Sequence, residues 1–123
     1  LELYGLPFDE TLVWSEPAFR FEGGFRSASD AIAKKVNFDA ILAGTDELAA
    51  GALAAITDAG YRVPDDIALI GFGDLSFSRY TRPALSTLSG QAEEMCRRIV
   101  ECMSHSEVEM LTVSRHLILR QSA

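Results

Sequence analysis

Two short apolar runs, each ending in a polar turn, dominate the pattern of hydrophobic and polar positions along this chain. The runs occupy residues 40–43 and 67–70, and the turns that close them read Gly44-Thr45-Asp46 and Gly71-Phe72-Gly73-Asp74. A segment with helical spacing, residues 46–59, separates the two runs. This order predicts a parallel strand–helix–strand unit. Ligands of such units bind beyond the carboxyl ends of the strands, so the polar turns are the first candidates for function.

The rest of the pattern extends this unit into an α/β fold. The further elements predicted are a strand at 11–15, a helix at 22–35, an irregular crossover at 75–88 around Arg82-Pro83, a helix at 91–103 and a last strand at 111–119. Because the strand predicted at 67–72 is continuously apolar, we expect it to be central and covered on both faces. The result is a three-layer α/β sandwich with a mostly parallel sheet.

The helix predicted at residues 46–59 is apolar on nearly every side. Such a helix is buried on more than one face. We expect one face to meet the sheet and the other to meet a second subunit or domain. The opening residues, which end in Gly5 and Pro7, read as the last turn of a helix that begins upstream. The chain is therefore interpreted as an excised fragment.

Composition limits the classes of function. The chain has 123 residues, 48% of them hydrophobic, and a formal net charge of −7. It can build one core, but it lacks the clustered positive charge that grips a phosphate backbone. No run is long enough to span a membrane, and no signal-peptide pattern opens the chain. Cys96 and Cys102 lie about 9 Å apart along a helix, too far for a disulfide, so reduced thiols in a cytosolic setting are expected.

Catalytic, metal and cofactor chemistry find little support in the residues. His105 and His116, the only histidines, have no partner at a familiar metal-ligand spacing, so no metal site is expected. The chain contains no G-x-S-x-G elbow and no Walker A loop. The turn at 71–76 resembles a dinucleotide fingerprint, although Arg82-Pro83 interrupts the helix that such a site needs. A small nucleotide-binding enzyme therefore remains only an alternative, and no cofactor is expected.

Polar groups at the predicted strand ends indicate a binding site. Thr45, Asp46 and Asp74 would stand together at the ends of two neighbouring strands, where hydroxyl and carboxylate groups suit a polyol or sugar-like ligand. Alternatively, Asp46 caps the following helix and Asp74 stabilises its turn. Phe19 either supplies a flat apolar wall to the ligand, or it is a core residue or a hydrophobic staple of the first helix.

Several ordered motifs together resemble the effector-binding core of LacI-type (LacI/GalR family) transcription regulators over essentially the whole chain. They are FDAILAGTDELAAGAL at 38–53, GYRVPDDIALIGF at 60–72, RYTRPALSTL at 79–88, the opening GLPFDETLV at 5–13, FEGGF at 21–25 and the ending LILRQS. The resemblance implies a two-lobed periplasmic-binding-protein-like (type I) fold. Residues 1–123 would belong to the C-terminal effector-binding and dimerisation lobe, with the helix at 91–103 crossing to an N-terminal lobe. A DNA-reading helix-turn-helix would lie upstream.

The resemblance also implies roles for individual residues. Effector contacts carry over to Phe19, to Thr45 or Asp46, and to the Gly73-Asp74 turn. The homodimer contacts carry over to the helix after Thr45 and the segment after Asp74, represented by Leu48, Ala49, Leu53, Leu75, Phe77 and Tyr80. One departure stands out: many family members have Asp directly after the aromatic residue of this turn, where this chain has Gly73. The Gly-Phe-Gly-Asp variant resembles regulators of gluconate-type and sugar-acid pathways, and it suits an anionic ligand.

The sequence therefore predicts a non-enzymatic, cytoplasmic regulator that senses a sugar or sugar acid. Its ligand would change the arrangement of two lobes and so the spacing of DNA-binding heads, which requires different affinities for the two arrangements. Its partners would be the small-molecule effector, a second copy of the chain and operator DNA held by an N-terminal domain absent from this chain, with no membrane contact. An exported sugar-binding protein of a transporter is the alternative. A helix-turn-helix or a signal peptide upstream would separate the two.

Overall fold

A computed structural model of the chain describes residues 2–5, 7–103 and 112–123. One four-stranded sheet has the order β1 (Ala40–Leu42), β2 (Ala68–Gly73), β3 (Ser86–Ser89) and β4 (Leu117–Ile118). The first three strands are parallel, and β4 runs antiparallel to β3. The predicted α/β architecture with a mostly parallel sheet is confirmed. The strand predicted at residues 67–72 corresponds to β2, and its predicted central place in the sheet is also confirmed.

Within the described residues, three α-helices accompany the sheet: α1 (Phe21–Ala33), α2 (Asp46–Asp58) and α3 (Ala92–Met103). Short 3-10 helices lie at Glu2–Tyr4, Glu10–Leu12 and Ser76–Arg79. Helix α2 begins where it does because the Thr45 hydroxyl accepts a hydrogen bond from the Leu48 N–H at 3.1 Å. It ends at Asp58, two residues before Gly60, whose φ of 85° is a left-handed conformation that suits glycine. None of these helices is both long and apolar enough to cross a membrane.

The second apolar face of α2 is covered by α1, so the expectation that it meets another subunit or domain is wrong. The two helices approach closely at Gly24 and Gly51, where a Cβ atom would overlap the backbone of the opposite helix. Two residues predicted at the dimer interface, Ala49 and Leu53, are 0% and 6% exposed and belong to this chain's own core. They are corrected to core residues because α1 and the sheet already surround them. Leu48 is half-buried against the same core.

The sheet faces differ in burial. Leu69 and Gly71 of β2 are buried on the side of α2, whereas Ile70 and Phe72, which point to the other side, are only half-buried. The prediction that this strand is covered on both faces is therefore wrong for the described residues, which bury only the face towards α2. Helix α3 has no buried residue, and its apolar side chains Met95, Ile99 and Met103 are 36%, 51% and 82% exposed. A crossing of residues 91–103 to another lobe stays a prediction.

Three predicted elements need correction. Residues 11–15 form no strand: Glu10–Leu12 is a 3-10 helix, capped by the Asp9 carboxylate, which accepts from the Thr11 N–H at 2.9 Å. The crossover at 75–88 ends in β3, which the sequence analysis missed. The last strand is confined to Leu117–Ile118 in the described residues. The first residue predicted for it, Leu111, and the histidine His105, considered as a metal ligand, lie outside the described residues.

Candidate functional site

The carboxyl ends of β1, β2 and β3 meet at one edge of the sheet because the three strands are parallel. Thr45 lies three residues after the end of β1, Asp74 directly follows β2, and Gly73 pairs in register with Ser89 of β3. The Ala43 N–H donates to the Ile70 carbonyl at 2.8 Å, which continues the β1–β2 pairing towards this edge. The structure thus brings together the turns that the sequence analysis singled out. We call this edge, formed by residues 44–46, 73–75 and 89–91, the strand-end mouth.

Asp46 lies beneath the strand-end mouth rather than at its surface. It is 0% exposed. One carboxylate oxygen, Oδ2, accepts from the Leu75 N–H at 2.6 Å, and the other, Oδ1, accepts from the Thr87 hydroxyl at 2.5 Å. Gly71 makes room for it, since a Cβ there would overlap Oδ1. The carboxylate therefore joins the start of α2, the turn after β2 and strand β3.

This geometry changes the interpretation of Asp46. The helix cap is made by the Thr45 hydroxyl, so the capping role proposed for Asp46 is wrong. Both carboxylate oxygens of Asp46 accept hydrogen bonds from donors of this chain, and breaking either bond would leave a donor unsatisfied. The geometry therefore favours a positioning role over direct contact with an effector.

Asp74 forms a largely buried ion pair with Arg120, which the sequence analysis did not predict. Its backbone has a φ of 52°, and its N–H donates to the Thr87 hydroxyl at 3.3 Å. Its carboxylate accepts from Arg120 at 2.5 Å, and the Arg120 and Asp74 side chains are 14% and 23% exposed. Arg120 also donates to the Leu85 carbonyl at 2.7 Å and to the Ser78 hydroxyl at 3.0 Å. The turn-stabilising interpretation of Asp74 is therefore supported. Arg120 lies in the ending LILRQS, one of the motifs that resemble LacI-type regulators, and this could have marked it as a candidate residue.

Phe19 lies at the carboxyl end of β1 and is 62% exposed, so it is not a core residue. Its ring lies 3.9 Å from the position that a Cβ on Gly44 would take. The loop that carries it is held by Glu16, whose carboxylate accepts from the Ser27 hydroxyl at 2.6 Å and from Arg26 at 2.5 Å. A cavity of about 580 Å³ lies between this loop and β1, lined by Phe19, Trp14, Leu42 and Gly44 among others. An aromatic face is thus available to a ligand at the strand-end mouth.

The hydrogen bonds at Glu16 predict a pH-dependent contribution to stability. The Ser27 hydroxyl, and after it Arg26, hold the pKa of Glu16 below its ordinary value of 4.5. A carboxylate whose pKa is lowered by folding stabilises the fold fully above the ordinary pKa, and this stabilisation is lost as the pH falls through the lowered pKa. We expect Glu16→Gln to reduce the free energy of unfolding at pH 7. The difference from the unsubstituted protein should vanish in acid.

Urea unfolding of the two proteins between pH 7 and pH 3 measures this difference. Subtracting one curve from the other removes the contributions of other carboxylates, such as Asp66, whose pKa is lowered by Arg62. A difference that stays constant across this range would contradict the assignment.

The described residues form neither a metal site nor a dinucleotide-binding site. No group of three or more His, Cys, Asp or Glu residues that could hold a metal occurs in residues 2–5, 7–103 and 112–123. The strand β2 is followed by the four-residue 3-10 helix Ser76–Arg79 and not by an α-helix whose N-terminus could meet a pyrophosphate. The nucleotide-binding alternative therefore lacks its main structural requirement.

Comparison with known proteins gives a consistent result. The model of the periplasmic binding protein-like domain family matches residues 2–122. The HTH-type transcriptional regulator CelR of Thermobifida fusca is 28% identical over 124 residues, which cover 96% of this chain and 36% of that protein. The chain thus spans about a third of the length of this curated relative.

Solved structures extend the similarity to the fold. A LacI-type transcription regulator from Bifidobacterium animalis subsp. lactis superposes with a TM-score of 0.88 at 25% identity, covering 98% of this chain and 45% of that one. A CelR–cellobiose complex superposes with a TM-score of 0.86 at 27% identity, covering 99% of this chain and 39% of that one. The predicted resemblance to LacI-type regulators is confirmed by these matches.

Proposed function

The chain belongs to the periplasmic binding protein-like domain family, and on that premise we propose that it is the effector-sensing and dimerisation part of a LacI-type transcription regulator. The observation that supports this most is the convergence of three parallel strand ends on one mouth, with the exposed ring of Phe19 beside it. The effector would be a sugar or sugar acid. A related regulator has been solved with cellobiose. The protein would act in the cytoplasm, by binding and not by catalysis.

In this proposal Thr45, Gly73 and the backbone of the Asp74 turn face the effector, and Phe19 packs against it. Asp46 and Arg120 act indirectly, because they hold that turn in place through Leu75 and Asp74. The same Asp46 carboxylate holds Thr87 of β3, the strand that leads towards α3. An effector that binds one placement of the turn more tightly would thereby shift the position of β3 and α3. Operator DNA would be bound by a domain outside this chain.

The dimer contact would use the exposed apolar surface next to the strand-end mouth. Leu75 and Tyr80 are 42% and 73% exposed, and the ring of Phe77 packs against Phe21 with ring centroids 5.4 Å apart. Half-buried Leu48 contributes from α2. Apolar residues grouped on a surface in this way are typical of an interface between subunits. Ala49 and Leu53 take no part, because they lie in the core.

The proposal predicts that Phe19→Ala in the full-length protein weakens effector binding by about tenfold without unfolding the protein, because an exposed ring contributes to a ligand and little to the core. A thermal-shift screen of neutral sugars and sugar acids identifies the effector, and calorimetry then measures both proteins. The matched control is Tyr61→Ala, a 45% exposed aromatic residue beyond the carboxyl end of α2. Equal effector affinity in the Phe19 variant and the unsubstituted protein would remove Phe19 from the site.

The regulatory part of the proposal is tested with DNA. The effector found in the screen should change the affinity of the full-length protein for its operator, measured by gel mobility. If no sugar or sugar acid stabilises the protein, and none changes operator binding, the proposed function is wrong.

A further inference from the structure

Arg115 lies at the strand-end mouth although it comes from the last segment of the chain. Because β4 runs antiparallel to β3, the residues before β4 lie beside the residues after β3. The Ser89 N–H donates to the His116 carbonyl at 2.8 Å, which places the neighbouring Arg115 at the end of β3. The Arg115 guanidinium stands 4.6 Å from the centre of the Phe72 ring, directly before Gly73. A cation is attracted to the face of an aromatic ring, so this contact favours the observed position of the guanidinium.

The space in front of Arg115 is kept open by two glycines. A Cβ on Gly90 would lie 3.7 Å from an Nη atom of Arg115 and 3.5 Å from the Gly73 carbonyl oxygen. Gly73 has a φ of 128°, which a residue with a side chain rarely adopts. Neither position therefore places a side chain, charged or neutral, between Arg115 and the mouth.

Arg115 differs from the other arginines at this edge of the sheet because it forms no ion pair with a described acidic residue. Arg120 is paired with Asp74 at 2.5 Å, and Arg97 is paired with Glu94 and with Glu101. Arg115 has no ion pair in the part of the chain that the structure describes. The carboxylates of Asp46 and Asp74 are occupied by their own donors.

Acidic residues in the first turn of α3 oppose this positive charge. Glu93 and Glu94 line the opening beside Gly73 and Asp74. Glu94 is paired with Arg97, and Glu93 is exposed, so solvent and salt screen its charge. Arg97 also lines this opening but is paired with Glu94 and Glu101. Within the described residues, Arg115 is therefore the arginine near Gly73 whose charge is not balanced by an ion pair.

We propose that Arg115 determines the charge specificity of the effector site, by binding the negative group of an anionic polyol. This rests on the proposed function and narrows its ligand class. Arginine binds carboxylate and phosphate oxygens through two parallel N–H donors, so a sugar acid and a sugar phosphate share the required chemistry. A neutral sugar would leave the cation without a partner at the mouth.

The test uses matched ligands that differ only in the charged group. D-gluconate is compared with D-glucitol, D-galacturonate with D-galactose, and glucose 6-phosphate with glucose, by calorimetry on the full-length protein. In at least one pair we expect the anion to bind at least about tenfold more tightly than its neutral partner. The pair that responds distinguishes a carboxylate from a phosphate as the source of the charge.

Variants then assign that preference to Arg115. Arg115→Gln should weaken binding of the anion by about tenfold and leave the neutral partner unchanged, and Arg115→Lys should recover part of the loss. The matched control is Lys34→Gln, which removes the same charge at the carboxyl end of α1, remote from the mouth. Its anion affinity should equal that of the unsubstituted protein.

Two results overturn the proposal in different ways. If neutral sugars bind as tightly as their anions, or if Arg115→Gln weakens both members of a pair equally, the assignment of Arg115 is wrong while the effector-sensing function stands. If neither neutral nor anionic ligands bind, and operator affinity is unchanged by all of them, the proposed function fails and this inference fails with it.

Discussion

Asp46→Ala is expected to lower the free energy of unfolding by about 3 kcal/mol, since it leaves two donors without their acceptor. The Thr87 hydroxyl, on a residue that is 0% exposed, donates to Asp46 at 2.5 Å, and the Leu75 N–H donates to it at 2.6 Å. Water has little access to replace the lost carboxylate at the Thr87 side. Urea unfolding at pH 7 measures the change.

A double-mutant cycle separates the hydrogen bond from the loss of volume. Thr87→Val removes the hydroxyl that Asp46 binds, and Thr87→Ser keeps it. If the bond carries the effect, Asp46→Ala in the Thr87→Val background should cost at least about 1 kcal/mol less than in the unsubstituted protein. Additive losses would show that the two residues act independently. A loss under about 0.5 kcal/mol for Asp46→Ala alone would refute the positioning role.

Asp46→Asn probes the charge at constant shape. The amide keeps one acceptor for the Leu75 N–H, and its NH2 group can donate to the Thr87 oxygen, so the loss should be smaller than for alanine. The effector affinity of this variant is the functional readout. If Asp46 positions the Asp74 turn, the asparagine variant should bind effector nearly as well as the unsubstituted protein.

The elements that sequence predicted best are those whose local pattern matches their environment. Helix α2 combines a Thr45 cap, helical spacing of apolar residues and a closing Gly60, and its bounds agree to within one residue. Strand β2 is continuously apolar and central. Strand β3 was missed because Ser86, Thr87 and Ser89 look like loop residues. Its Ser86 and Thr87 are both 0% exposed, made compatible with burial by hydrogen bonds to Ser122, Arg120 and Asp46.

The site shows the same division between local and distant information. Placing Thr45 and Asp74 at neighbouring strand ends needed only the parallel topology, and the structure agrees. The partners of the two carboxylates did not follow from local pattern, because Asp46 binds residues 29 and 41 positions away and Asp74 binds one 46 positions away. Sequence alone therefore identified polar groups at the mouth without showing which of them face a ligand.

The sequence analysis assigned the second apolar face of α2 to another subunit or domain. An apolar helix face indicates that something covers it, but it does not indicate which element does. The cover is α1, and the close approach depends on Gly24 and Gly51, whose small size was not interpreted in the sequence analysis. The backbone of Phe21 and Phe25 lies against Gly51, so the two helices share a contact with no room for a methyl group. This contact leads to a second prediction with a large effect.

Gly51→Ala is expected to lower the free energy of unfolding by about 3 kcal/mol, or to prevent cooperative folding. The new Cβ would overlap the Phe21 carbonyl and the Phe25 N–H region, and a helix backbone cannot move aside as a flexible side chain can. Helix propensity alone predicts an increase in the free energy of unfolding, because replacing glycine with alanine inside a helix stabilises it by about 0.5 to 1 kcal/mol. The sign of the change therefore distinguishes the helix contact from propensity.

Ala54→Gly supplies the matched control within the same helix. Ala54 is exposed on α2, so this variant measures the cost of glycine in α2 without a change at the contact with α1. We expect it to destabilise by about 0.5 to 1 kcal/mol. If Gly51→Ala instead stabilises the protein by the same amount as Ala54→Gly destabilises it, α1 does not cover α2 at this point.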